Sequence, residues 1–238
     1  MSKSRKVQLE KKIMIFLSSG VFIFSGLYAS NVQAAPVFSS GSASDSTVAG
    51  VNNTASANSS SAFGYFNTAG GLASSAFGWS NTASAENASA FGYVNEASGL
   101  ASSAFGFSNT ASGDNANAFG YNNIASGSKS NVFGTGNTVS GSSSTAVGTA
   151  NEVAAENSTA IGNNNTISSG AENSAALGNN ISISLKDSVA LGNNSTATAI
   201  NSVTGNSSYT KWAGVSDVVG VVSVGSSGAT RQIQNVAA

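Results

Sequence analysis

The chain has 238 residues, with no cysteine, no histidine and a single proline. Without cysteine and histidine, disulfide frameworks, thiolate or imidazole zinc sites, thiol nucleophiles and imidazole bases are excluded. Basic residues are also scarce: five of the nine lie within the first twelve positions, and beyond them four basic residues face nine acidic ones, a net charge of −5. Because no basic patch remains to hold a phosphate backbone, nucleic acid is excluded as a partner.

The N-terminal segment has the pattern of an export signal. A basic stretch precedes the apolar run from Ile13 to Ala29, and Val32-Gln33-Ala34 supplies small residues for cleavage. This order predicts a signal peptide over residues 1–34. A membrane anchor is the alternative, but the run is short for a span and is interrupted by serines.

A small–apolar–glycine triplet recurs through the chain. Eight of its glycines follow one another at intervals of fourteen residues, and after one sixteen-residue step the pattern resumes. A short fixed period is typical of a solenoid, whose units bury their apolar faces by stacking on their neighbours. The repeat glycines are Gly64, Gly78, Gly92, Gly106, Gly120, Gly134, Gly148, Gly162, Gly178 and Gly192.

Each coil is described here by positions counted from its repeat glycine. Two short alternating runs separated by turn residues predict two strands per coil, and no helical spacing is present. Bulky residues at −1, such as Phe91, accompany alanine at +5, such as Ala97, whereas Ile161 accompanies Ile167. When one side chain is larger wherever the other is smaller, the two typically pack against each other in the same part of a core. We therefore expect −1 and +5 to face each other inside a thin roll, with the −2 alanines turned outward towards another chain. The surplus of the sixteen-residue step should form a turn near Ser168-Ser169-Gly170.

The repeat unit, written most fully in Asp187 to Gly192 and in Asn157 to Gly162, resembles the head repeat of YadA-like trimeric autotransporter adhesins. The tail from Val222 to Ala238 resembles the neck motif of that family. The resemblance implies an all-β fold, a left-handed parallel β-roll of 14-residue coils followed by a neck. It also implies a homotrimer displayed on a Gram-negative cell surface.

On this basis we expect a signal peptide over residues 1–34, head repeats over 35–205 and a neck over 206–238. In the family, a coiled-coil stalk and an outer-membrane β-barrel follow the neck. The sequence ends at Ala238 before either. We expect a surface location if the parent gene encodes an anchor, and secretion otherwise.

Position +1 is the candidate ligand-binding site, because five consecutive coils carry an aromatic residue there before the column turns polar. Two interpretations remain open. The rings could stack on each other or on a neighbouring subunit and serve stability, or they could bind a repetitive ligand such as collagen. The candidate residues are Tyr65, Trp79, Tyr93, Phe107 and Tyr121.

Other site chemistry is not indicated. The acidic residues are scattered without basic or metal-ligating partners, so no catalytic residue, cofactor, metal or small-molecule substrate is predicted. In the neck, Arg231 and Asn235 match the family motif. The resemblance gives Arg231 an ion pair or carbonyl contact between chains.

The predicted function is that of a bacterial adhesin head, which attaches to extracellular matrix, host cells or other bacteria. A solenoid enzyme would need clustered acids or a histidine and is not supported. The alternatives are a secreted solenoid that binds ice, crystals or glycans, and a non-functional truncated adhesin.

Overall fold

The computed structural model describes residues 39–199 and 220–233. The predicted signal peptide, residues 206–219 of the predicted neck, and Asn235 lie outside the described residues. Twenty-four β-strands make up the regular structure of the described part. Within that part, no helix is long and apolar enough to cross a membrane.

Most coils contribute one five-residue strand to a wide parallel sheet. Neighbouring strands pair residue for residue at the repeat distance, as Phe105 does with Phe119 and Gly106 with Gly120. The strands of the wide sheet, in spatial order, are β1 (Ser39–Ser40), β2 (Thr47–Val51), β4 (Ser61–Tyr65), β6 (Ser75–Trp79), β8 (Ser89–Tyr93), β10 (Ser103–Phe107), β12 (Asn117–Tyr121), β14 (Asn131–Thr135), β16 (Thr145–Thr149), β18 (Thr159–Asn163), β20 (Ala175–Asn179), β22 (Val189–Leu191) and β24 (Val222–Ser223).

A second, narrow sheet is built from the two residues at +4 and +5. Its strands also pair in parallel and in register, as Thr110 does with Ile124. The two sheets confirm the predicted parallel β-roll of 14-residue coils. The narrow strands are β3 (Thr54–Ala55), β5 (Thr68–Ala69), β7 (Thr82–Ala83), β9 (Glu96–Ala97), β11 (Thr110–Ala111), β13 (Ile124–Ala125), β15 (Thr138–Val139), β17 (Glu152–Val153), β19 (Thr166–Ile167), β21 (Ser182–Ile183) and β23 (Thr196–Ala197).

The faces of the wide strands are the reverse of the prediction. The −2 alanines, such as Ala90 and Ala104, are fully buried, and so are the +5 residues, such as Ala97. The −1 side chains instead point outward: Phe133 is 42% exposed and Ile161 is 43% exposed. Side chains at −1 and +5 therefore do not contact each other inside the roll. Their sizes are correlated because the residue types at both positions change between the N-terminal and the C-terminal coils.

The interior is too narrow for aromatic side chains. The largest fully buried side chains of the described residues are isoleucines, such as Ile167 and Ile183. The repeat glycine also keeps the coils close: a Cβ on Gly106 would lie 2.1 Å from the carbonyl oxygen of Gly120, and Gly106 has a φ of +119°. Side chains no larger than isoleucine at −2 and +5 therefore fill the roll, and the −1 rings remain outside.

A buried asparagine ladder runs the length of the roll at position +3. The side-chain amide of Asn95 donates to the carbonyl oxygens of Phe91, at 2.9 Å, and of Gly106, at 2.7 Å. The same amide donates to Oδ1 of Asn81 at 2.9 Å, one coil earlier. Nine asparagines from Asn53 to Asn165 form the ladder, which satisfies polar groups at the turn that joins the two sheets.

Both ends of the wide sheet are covered by short strands. At the N-terminal end, β1 pairs antiparallel with β2, through Ser39 with Val48. At the other end, β24 adds a parallel strand to β22, through Val189 with Val222. The surplus of the sixteen-residue step forms a turn, closed by a 2.9 Å hydrogen bond from the N–H of Ala171 to the carbonyl oxygen of Ser168. This confirms the predicted position of the turn.

Candidate interaction surface

The aromatic residues at +1 lie side by side on the outer face of the wide sheet. Ring centroids of successive residues are 6.2 Å apart between Tyr65 and Trp79 and 4.3 Å apart between Trp79 and Tyr93. They are 4.8 Å apart between Tyr93 and Phe107 and 5.2 Å apart between Phe107 and Tyr121. The ring planes of Tyr93 and Phe107 differ by 3°, and those of Phe107 and Tyr121 by 17°. These three rings are therefore stacked: they cover each other's faces and present their edges outward.

These rings are partly exposed as well as stacked. Trp79 is 40% exposed and Tyr121 is 52% exposed. The stacking expected under the first interpretation is therefore present within a single chain. The assignment of the column to ligand binding stays a prediction.

A second aromatic ladder, at −1, was missed because its residues were placed inside the roll. Phe63 and Phe77 stack with a centroid distance of 4.7 Å, and the stack continues to Phe119 and Phe133 at 5.3 Å. Beyond Phe133 the column continues with exposed aliphatic side chains, such as Val147 and Leu177. The outer face of the wide sheet therefore carries an apolar strip along its whole length.

This face carries no charge. In residues 47–198, every acidic or basic side chain lies either on the narrow sheet or at the turn that precedes each wide strand. We call that turn the acidic edge, because Glu86, Asp114 and Glu156 occupy its position +8 and Glu172 the equivalent position in the sixteen-residue coil, beside only two basic residues, Lys129 and Lys186. The opposite turn, which follows each wide strand, is called the aromatic edge.

Two residues of the aromatic edge adopt a backbone conformation that their side chains disfavour. Phe66 and Val94, at position +2, have φ values of 56° and 54°. Bulky and β-branched residues rarely occupy this left-handed region, whereas Asn and Gly do so at little cost. Other coils place Asn122 or Gly136 there. Phe66 and Val94 are nevertheless 49% and 43% exposed, so neither is held there by burial in its own chain.

In the neck, Arg231 lies over the last repeat glycine. Its Nη1 donates to the carbonyl oxygen of Val224 at 2.8 Å and to Oγ of Ser195 at 3.2 Å. Its Nη2 donates to the carbonyl oxygen of Asn193. Two of these three bonds are to carbonyl oxygens, and all are made within one chain, so they tie the neck to the final coil. A contact of Arg231 between chains stays a prediction.

Among the described residues, no three His, Cys, Asp or Glu side chains are gathered where they could hold a metal ion.

Comparison with known families agrees with this geometry. Residues 42–67, 69–94, 97–123, 140–165 and 186–203 match the family described as YadA head domain repeat, two copies. These matches cover more than half of the chain, and each of the first four spans about two coils. No curated protein matches the chain. The chain thus belongs to the family of YadA-like trimeric autotransporter adhesins and carries their head repeats.

Proposed function

We propose that this adhesin head works as an exported homotrimer that attaches a bacterium to extracellular matrix, such as collagen, to host cells or to other bacteria. The observation that carries the proposal is the uncharged, apolar outer face of the wide sheet. Contiguous apolar surface of this kind is unusual on a free monomer and is typical of contact with another protein. A second copy of the same chain supplies a matching face.

In this arrangement the wide sheets face the threefold axis and the narrow sheets face solvent. The −1 ladder then packs between copies, and the +1 ladder lies at the flank of the same contact. This favours the first of the two interpretations of the aromatic column, in which it serves stability. The −2 alanines, expected to make the contact, do not contribute because they are buried inside each roll.

Two alternatives fit the surface less well. A glycan-binding ladder needs exposed ring faces for sugars to stack on, but Tyr93, Phe107 and Tyr121 cover one another's faces. An ice-binding face needs an uninterrupted threonine column. The outward +4 column of the narrow sheet is broken by Glu96 and Ile124, both exposed.

The test combines mass and attachment measured on the same preparation. Light scattering of the purified chain should give the mass of three chains, and beads coated with the chain should be retained on collagen-coated or cell-coated surfaces. A well-folded monomer at micromolar concentration would contradict the oligomer. A trimer that is retained no better than beads coated with an unrelated protein would contradict the adhesive function.

A further inference from the structure

Apolar side chains at both edges of the roll recur every second coil. At the aromatic edge these are Phe66 and Val94, 49% and 43% exposed. At the acidic edge, position +8 carries Leu72 and Leu100, 46% and 44% exposed. Phe66 and Leu72 belong to one coil, and Val94 and Leu100 belong to the next but one.

The coil between them and the coil that follows the second pair are polar at both edges. Ser80 and Glu86 share one coil, and Ser108 and Asp114 share the other. Between Gly64 and Gly178, large apolar residues at positions +2 and +8 occur only in these same two coils. Duplication of a two-coil unit would explain why the pattern recurs two coils later. It would not explain why, within one coil, the residues at +2 and at +8 are both apolar.

Nothing within a single roll links the two edges, because they lie at opposite ends of the wide strands. The apolar residues there are also unfavourable for an isolated chain. Phe66 and Val94 occupy a disfavoured backbone region, and all four side chains expose apolar surface. Strain and exposed apolar surface together at defined positions point to a contact with another molecule.

We propose that the aromatic edge of one copy packs against the acidic edge of the next copy, coil against the same coil. The proposal rests on the proposed homotrimer and specifies how its subunits meet. In a ring of copies around an axis parallel to the coil stack, each contact joins two different edges, and no copy is shifted along the axis. Residues of one coil therefore meet residues of the same coil in the neighbour.

The resulting seam is chemically matched at each level. Phe66 meets Leu72 of the neighbouring copy, and Val94 meets Leu100 of the neighbouring copy. Between these levels the hydroxyl of Ser80 faces the carboxylate of Glu86 and can donate a hydrogen bond to it. Residues six positions apart in a coil differ in height by less than one rung of about 4.8 Å, so their side chains can reach each other.

The seam is tested by exchanging an apolar pair for a charged pair. Val94→Lys and Leu100→Glu are each expected to weaken the trimer about tenfold or more, because each places a charge against an apolar side chain. The double variant Val94→Lys/Leu100→Glu should recover most of the loss, since lysine of one copy then faces glutamate of the next. The matched control is Val94→Lys/Leu72→Glu, whose two charges lie two coils apart and should show no recovery. Trimer dissociation is measured by sedimentation equilibrium, and far-UV circular dichroism confirms folding.

The outcomes separate the seam from the oligomer. A wild-type trimer in which the matched pair recovers no more than the mismatched pair would overturn the seam alone. A wild-type chain that is folded and monomeric would overturn both proposals. If the charged variants do not fold, the cysteine variant Phe66→Cys/Leu72→Cys is tested instead. The chain has no other cysteine, so any disulfide joins the introduced residues. Oxidation should link its copies covalently, and linkage no greater than that of Phe66→Cys/Leu100→Cys would overturn the seam.

Discussion

Oδ1 of Asn95 accepts hydrogen bonds from both the backbone N–H and the side-chain amide of Asn109, each at 3.0 Å. One oxygen thus joins two coils through the main chain and the side chain at once. Both residues are buried, so solvent cannot replace either bond. The ladder is therefore a continuous polar connection between coils inside a core of very small apolar residues.

Replacement of one member of this ladder should be costly. Asn95→Ala removes the donor to the carbonyl oxygens of Phe91 and Gly106, and it leaves the buried backbone N–H of Asn109 without its acceptor. We expect a loss of about 2–4 kcal/mol in the free energy of unfolding, measured by urea denaturation. The matched control is Asn122→Ser, at an exposed turn position, which should change stability by less than about 0.5 kcal/mol. Equal losses for the two variants would show that the ladder is not a major source of stability.

Two buried serines at position −4 behave differently. Oγ of Ser102 has no hydrogen-bond partner in the described part of the chain, and the same column carries buried alanines at Ala88 and Ala116. Ser144 in that column accepts from the N–H of Ser158 at 3.0 Å and donates to the carbonyl oxygen of Ala155 at 2.7 Å.

Alanine should therefore be tolerated at one serine and not at the other. Ser102→Ala should leave the free energy of unfolding unchanged or raise it by up to about 1 kcal/mol, because an unpaired buried hydroxyl is removed. Ser144→Ala should lower it by about 1–2 kcal/mol, because the N–H of Ser158 loses its partner. Thermal unfolding of both variants measures the difference. A larger loss for Ser102→Ala than for Ser144→Ala would contradict the assigned bonding.

The repeat made the fold predictable, but not the orientation of its strands. Fixed spacing gave the coil length, two strands per coil and the turn near Gly170. The alternation of side chains along a strand assigns residues to two faces. When both faces carry apolar side chains, it does not show which of the two faces points into the core. The matched sizes of −1 and +5, such as Phe91 and Ala97, predict that Phe91 lies inside, but the narrow interior holds Ala90 instead. The buried ladder was also missed, although asparagine at +3 recurs unchanged from Asn53 to Asn165 while its neighbours vary.

The corrected orientation can be tested at two adjacent residues. Ala90→Phe places a ring in the closed interior and should lower the free energy of unfolding by about 1–3 kcal/mol or more through overpacking. Phe91→Val copies what the chain has at Val147 on the outer face. It should cost less than about 1 kcal/mol in the monomeric unit, since only ring stacking is lost. Denaturation in dilute solution compares the two variants. A greater loss in the free energy of unfolding for Phe91→Val than for Ala90→Phe would indicate that position −1, and not position −2, faces the interior.

The last prediction concerns the aromatic column. Replacement of its five residues by threonine copies the later coils, which carry Thr135 and Thr149 at the same position, so each roll should stay folded. If the column flanks the contact between copies, the trimer should dissociate at a concentration about tenfold higher or more, and retention on collagen should fall in parallel because attachment depends on the trimer. Sedimentation, circular dichroism and bead retention are measured on one preparation. The substituted residues are Tyr65, Trp79, Tyr93, Phe107 and Tyr121.

The control replaces the same column in the polar half of the roll by alanine, which should leave both the trimer and retention close to wild type. An intact trimer with lost retention in the threonine variant would instead assign the aromatic column to ligand binding. An intact trimer with full retention would exclude both roles and direct attention to the outward threonines of the narrow sheet. The control positions are Thr135, Thr149, Asn163, Asn179 and Asn193.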